Sequence, residues 1–182
     1  FHITPPLNGI YYSYERVRIK FHYNFSKNVI VYIQSQKCER MHSMSTKEFS
    51  DNLSKYADPH EYDETYKGYT ADLEFIQAHL EGNPQPIIEL ACGTGRLAIP
   101  LAKQGHTVYG VDIDSGMLNF AQEKADAEEL NVHLSVQDCT RLNLPIQSNF
   151  IYMTGNSFQH FLTNKSQDAL FESVKQHLNQ NG

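Results

Sequence analysis

The chain has 182 residues, enough for one domain with a proper core and too few for two. Its 40% hydrophobic and 20% charged content is that of a globular protein, and no stretch reaches the roughly 20 apolar residues of a membrane span. The net charge of −6 is uneven, +4 over residues 1–40 and −10 over residues 41–182, and an acidic body speaks against a nucleic-acid substrate.

Residues 1–40 are rich in Tyr and Phe, with one β-like run at 29–33 and no sustained period. The chain starts with Phe, whereas Met41 and Met44 stand just before the first regular helical pattern. The expectation is therefore an extension over 1–40, outside the folded unit, and a domain over 41–182. A β-hairpin added to that domain is the alternative.

Ser45, with Glu48 three residues on, predicts a capped helix through Phe49, Leu53 and Tyr56. A tyrosine-rich connection, DPHEYDETYKGY, follows. Residues 72–80 form an amphipathic helix with Leu73, Ile76 and Leu80 on one face, ended by Gly82 and Pro84. Alternation then sets in. Strands are predicted at 87–91, 107–113, 131–136 and 150–154, and helices at 96–103, 115–125 and 166–178. Such alternation reads as right-handed βαβ units around a parallel sheet, an α/β Rossmann-like, doubly wound fold.

Cys38, Cys92 and Cys139 lack C-x-x-C spacing, so neither a zinc knuckle nor a disulfide framework is expected. Reduced thiols, and no leader of secretory type, point to the cytoplasm. None of the nine histidines is paired with acids at ligand spacing, so no metal site is expected.

The chemistry is concentrated in IIELACGTGRLAIPLAKQGHTVYGVDID. Gly93 and Gly95 sit where the first strand of the alternation meets its helix, where glycine tolerates positive φ and lets a ligand reach the backbone. Gly93-x-Gly95-x-x-Ala98 also fits the dinucleotide fingerprint. Glu89 separates the readings: an acid four residues before the first glycine repels a pyrophosphate and favours a donor bearing an amine and a sulfonium. That donor is S-adenosylmethionine. Asp112 ends the next strand, where a carboxylate suits ribose hydroxyls in either class. Asp138 and Cys139 follow the third, where a carboxylate suits the adenine amino group and a backbone N–H a ring nitrogen.

These residues resemble the class I S-adenosylmethionine-dependent methyltransferases, of small bacterial type, over roughly residues 56–182. ELACGTG is similar to that family's first motif, GVDIDSGML to its second and VQDCTRLNLP to its third. NFIYMTGNSFQHF resembles its fourth-strand segment, and YADPHEYDETY the tyrosine-bearing stretch that closes over the cofactor. Asn149 departs from the Asp commonly found before the fourth strand.

The resemblance implies that Glu89 meets the methionine amino group, that Gly93 and Gly95 allow close approach, and that Asp112 holds the ribose. Ile113 and Met117 would flank the adenine, with Asp138 and Cys139 at its edge. Tyr62, Ala91 and Cys92 complete the candidate contacts. Packing roles compete for Cys92, Met117, Tyr56 and Tyr62. Asn156 and His160 lie near the expected acceptor entrance, but no catalytic residue is assigned, because displacement on a sulfonium methyl is driven largely by positioning.

The implied reaction is methyl transfer to a small-molecule acceptor, with no nucleic-acid or membrane partner. The alternatives are an NAD(P)-dependent oxidoreductase and a non-catalytic cofactor-binding module. Family members continue past the last helix into further strands. The fourth strand is therefore expected to form a sheet edge with Ile151 and Met153 poorly covered, and the chain to be a weak or inactive catalyst.

Overall fold

A computed structural model describes residues 58–80 and 86–179 in full and residues 22–24 and 29–33 as backbone strands. In chain order these are β1 (His22–Asn24), β2 (Val29–Ile33), α1 (Pro59–Thr65), α2 (Ala71–Leu80), β3 (Ile87–Leu90), α3 (Ala98–Lys103) and β4 (Val108–Asp112). They continue with α4 (Ser115–Ala127), β5 (Val132–Val136), a 3-10 turn (Cys139–Arg141), β6 (Phe150–Met153), a second 3-10 turn (Ser157–His160) and α5 (Asn164–Gln176). The helix expected after Ser45 lies outside the described residues.

The described strands form one sheet in the order β1-β2-β6-β3-β4-β5. β6, β3, β4 and β5 are mutually parallel, as the alternating pattern predicts. The expectation for the fourth strand is corrected. β6 is not an edge, because Val29–Ile33 lies parallel beside it with Ile30 opposite Phe150 and Ile33 opposite Met153, and β1 pairs antiparallel with β2. A hairpin from within residues 1–40 thus belongs to the sheet, against the reading that places this segment outside the folded unit. The β-like run at 29–33 was legible; its partner, about 120 residues away along the chain, was not, because sequence periodicity carries no information on long-range pairing.

Two apolar layers enclose the sheet. Ile87, Val108, Val132, Phe150 and Tyr152 pack with Ile76 and Leu80 of α2, Leu101 of α3 and Ala125 of α4. On the opposite face, Ile88, Leu90, Val111, Ile151 and Met153 pack with Leu170 and Val174 of α5. Helix starts follow the local chemistry. Asp58 caps α1 ahead of Pro59, Asp114 caps α4, and Thr163 with Ser166 forms a capping box on α5. His177 ties α5 back to the body of the domain, its Nε2 accepting from Leu144 N–H at 3.1 Å while its Nδ1 meets Ser173 O at 2.9 Å.

Candidate functional site

Period-two alternation along β3 sends Ile88 and Leu90 to one layer and Ile87 and Glu89 to the other. A carboxyl group is thereby placed among apolar neighbours, 3% exposed. In register it stands opposite Gly110 on β4 and Tyr152 on β6. Burial is the largest influence on its titration and pushes the carboxyl up to about 8, opposed by Tyr152 and Arg96 and reinforced by Asp72 and Asp112. The Tyr152 hydroxyl, on the neighbouring strand, is the first influence that opposes burial. Glu89 Oε2 and Tyr152 Oη are both buried and without a hydrogen-bond partner among the described residues.

Arg96 follows the glycine loop directly and is the nearby cation, but it is already committed. Its guanidinium makes a two-pronged pair with Asp72, whose side chain is 2% exposed, and donates to Tyr69 O at 3.2 Å. Desolvation lowers the Arg96 pKa, but the hydrogen bonds and charge of Asp72 outweigh it and hold the group charged. Tyr66 and Tyr69 stack near it, their ring centres 6.0 and 5.6 Å from the guanidinium carbon.

Alternate residues of the loop after β3 have positive φ: Ala91 at 54°, Gly93 at 52° and Gly95 at 72°. A Cβ at Gly93 would meet nothing within 4 Å, whereas one at Gly95 would press on Ala121 and Ile99 at 3.3 Å. Gly93 thus leaves space above the backbone, and Gly95 lets α4 pack closely. Ala91 adopts a left-handed conformation that costs an L-residue about 1–2 kcal/mol.

Asp112 ties this loop to β4. One carboxylate oxygen accepts Gly93 N–H at 2.8 Å and the other accepts Asp114 N–H at 3.0 Å. Each carboxylate oxygen has a second lone pair, so the group retains capacity for further donors. Next to it Ile113 is 76% exposed, and Val136 at the end of β5 is 57% exposed, leaving two apolar side chains at the carboxyl edge of the sheet. Asp138 turns inward on its own segment, accepting Thr140 N–H at 2.9 Å and Thr140 Oγ1 at 2.8 Å. These bonds hold its carboxyl below its ordinary range.

Cys139 reaches the Ala91 backbone, and burial pushes its thiol up to about 12. Cys92 is also raised well above the ordinary thiol value, first by burial and then by Glu89 and Asp112. Both thiols are free and buried, in surroundings that suppress the reactive thiolate. Met117 is 3% exposed and packs in the core of α4. Glu89, Ala91, Cys92, Gly93, Gly95, Asp112 and Cys139 converge around the glycine loop, while Ile113 and Asp138 line the adjoining edge and Met117 lies beneath it.

Tyr62 sits on α1, which rests on the same loop. Its hydroxyl comes within 3.8 Å of where a Gly155 Cβ would be, beside the turn after β6. Sequence reading missed Tyr152, Arg96 with Asp72, and Thr94 with Asp63. A tyrosine in a strand otherwise made of Phe, Ile and Met was the one signal for Tyr152. The ion pair spans 24 residues and left no local mark. Among the described residues no group of three or more His, Cys, Asp or Glu is arranged to hold a metal ion, and no helix is long and apolar enough to cross a membrane.

Comparison with known proteins agrees with this geometry. A family model described as "Methyltransferase domain" matches residues 87–182. A protein of Geobacillus sp. (strain WCH70) named as a methyltransferase is 38% identical over 78 residues, 41% of this chain and 32% of the relative. The TehB protein of Haemophilus influenzae, named as an S-adenosyl-L-methionine-dependent methyltransferase, is 23% identical over 154 residues, 84% of this chain and 53% of the relative. The chain thus spans about a third to a half of the length of these relatives. A solved S-adenosylmethionine-dependent methyltransferase from Clostridium acetobutylicum shares the fold at a TM-score of 0.58 and 24% identity, covering 75% of this chain and 54% of that one. The family match takes in just over half of the chain, including the glycine loop and every strand from β3 onward, and the chain belongs to the methyltransferase-domain family.

Proposed function

We propose that this protein is an S-adenosylmethionine-dependent methyltransferase acting on a small-molecule acceptor. The observation that carries the reading is Glu89, a buried carboxyl with an unpartnered oxygen at the glycine loop. Among the described residues the cation that acts on it, Arg96, is bound to Asp72. Such a carboxyl gains from a cationic ligand, whose charge lets it ionise, and offers a pyrophosphate no counter-charge. The names of the Haemophilus and Clostridium proteins support the same donor.

In this reading Glu89 holds the donor's ammonium as a carboxylate. Gly93 and Gly95 admit the donor against the backbone, and Asp112 accepts the ribose hydroxyls with its remaining lone pairs. Ile113 and Val136 offer apolar faces to the adenine, beside Asp138 and Cys139. When bound, the donor supplies an electrophilic methyl on a sulfonium, a good leaving group. The protein's own work is then orientation and exclusion of water, with Tyr62 and the turn around Gly155 bordering the site. The acidic body supports a small acceptor over a nucleic acid, and the free thiols of Cys92 and Cys139 support a reducing, cytoplasmic setting.

Titration calorimetry of the full chain with S-adenosylmethionine and, separately, with NADH tests the assignment. Binding of the first alone is expected. Binding of NADH alone would replace this reading with a dehydrogenase.

A further inference from the structure

We propose that Asp63 is a positioning residue that latches α1 onto the donor site and thereby sets how long the donor stays bound. The proposal rests on the S-adenosylmethionine reading above and concerns a residue that plays no part in it. α1 has no buried residue, so apolar burial does little to hold it. Two polar attachments come from one of its side chains. Asp63 Oδ1 accepts the Thr94 hydroxyl at 2.5 Å, and Asp63 Oδ2 takes Lys124 Nζ at 2.5 Å. One carboxylate thus joins α1 to the glycine loop and to α4 at once. Around it, the His60 ring meets Phe120 edge-on at 4.4 Å, and Lys124 Nζ lies 4.7 Å from the centre of the same ring.

The placement gives the latch its leverage. Thr94 lies between Gly93 and Gly95 and is fully buried, so its hydroxyl reports the position of the loop itself. Asp63 is the immediate neighbour of Tyr62, whose hydroxyl reaches the turn at Gly155 on the far side of β3. Holding Asp63 therefore fixes Tyr62 across the site. The Asp63–Lys124 pair is less than a third exposed on either side, so it is screened less than a surface pair. An element secured by a few polar contacts opens locally at small cost, the property required of an entry gate.

The test compares the full chain with D63A, T94V and the milder D63N. Stopped-flow dissociation of S-adenosylhomocysteine, amide exchange over α1 and thermal melting are followed in each. D63A removes both contacts and is expected to raise the dissociation rate at least about tenfold. T94V, which keeps the Lys124 pair, is expected to raise it less, and D63N, which keeps an acceptor for Thr94, to recover part of the D63A loss. α1 amides should exchange faster in D63A by more than any fall in global stability, which melting reads and which comes from the stranded Thr94 hydroxyl. Wild-type dissociation and wild-type α1 exchange in D63A would overturn the latch alone. Failure of the unaltered chain to bind S-adenosylhomocysteine would overturn the donor assignment, and this proposal with it.

Discussion

Glu89 on β3 and Tyr152 on β6 face each other directly across the parallel pair, and each presents a buried polar atom with no hydrogen-bond partner among the described residues. Two adjacent strands of an otherwise apolar layer therefore carry an unmet electrostatic demand next to the loop of Gly93 and Gly95. Burial raises both groups, favouring the neutral carboxyl and the neutral phenol.

The first prediction concerns pH. Glu89 titrates near 4.5 in an unfolded chain and near 8 in the fold. Between these values the folded protein holds a proton that the unfolded chain has lost. Its contribution to stability is therefore full below about pH 4.5 and falls as pH rises toward 8, by at most about 1.4 kcal/mol per unit. Melting across this window should show the decline in the wild type, and E89Q should lack that part of the slope. Parallel profiles for the two proteins would contradict it. Arg96, Asp72, Asp112, Tyr152 and Cys92 are the other groups facing Glu89 and stay unchanged in this comparison.

The Asp72–Arg96 pair should behave as a buried unit. R96M leaves the Asp72 carboxylate, 2% exposed, without its cation, and is expected to cost about 3–5 kcal/mol in chemical denaturation. Adding D72N to R96M should recover part of that loss, because the stranded charge is removed too. A double variant no more stable than R96M would show that the pair is not coupled.

Gly110 is a steric requirement. A Cβ there would come within 2.7 Å of Leu134 Cδ2 and 2.8 Å of Cys92 Sγ, on the strand opposite Glu89. G110A is expected to destabilise the fold by about 1–3 kcal/mol, the usual range for overpacking, as measured by denaturant titration.

Ala91 gives a prediction of opposite sign. Its φ of 54° is a conformation glycine takes freely. A91G should relieve about 1 kcal/mol of strain and raise the melting temperature by about 2–4 °C for a chain of this size. A lower melting temperature would show that the alanine methyl contributes more by packing than its backbone costs.

The sequence was most legible where a local pattern meets a local rule. Alternation from Ile87 onward announced β3 to β6 and their helices because inward-facing residues recur at strand and helix spacing. Glu89, Gly93, Gly95 and Asp112 stood out because charge and glycine at a strand end have few structural uses. Contacts between distant segments were not legible: β2 against β6, Asp72 with Arg96, Asp63 with Thr94 and Lys124. Each depends on how the elements are brought together in space, and none leaves a periodic trace. Met117, whose spacing suits both core and site, is 3% exposed.

The central claim is that the Glu89 carboxylate receives the donor's ammonium. It is tested most directly by titrating wild type and E89Q with S-adenosylhomocysteine and with methylthioadenosine, which lacks the amino-acid end. E89Q should weaken S-adenosylhomocysteine by about 10- to 100-fold, the value of a charged hydrogen bond, and leave methylthioadenosine unchanged. Equal affinity of the two proteins for S-adenosylhomocysteine would contradict the claim.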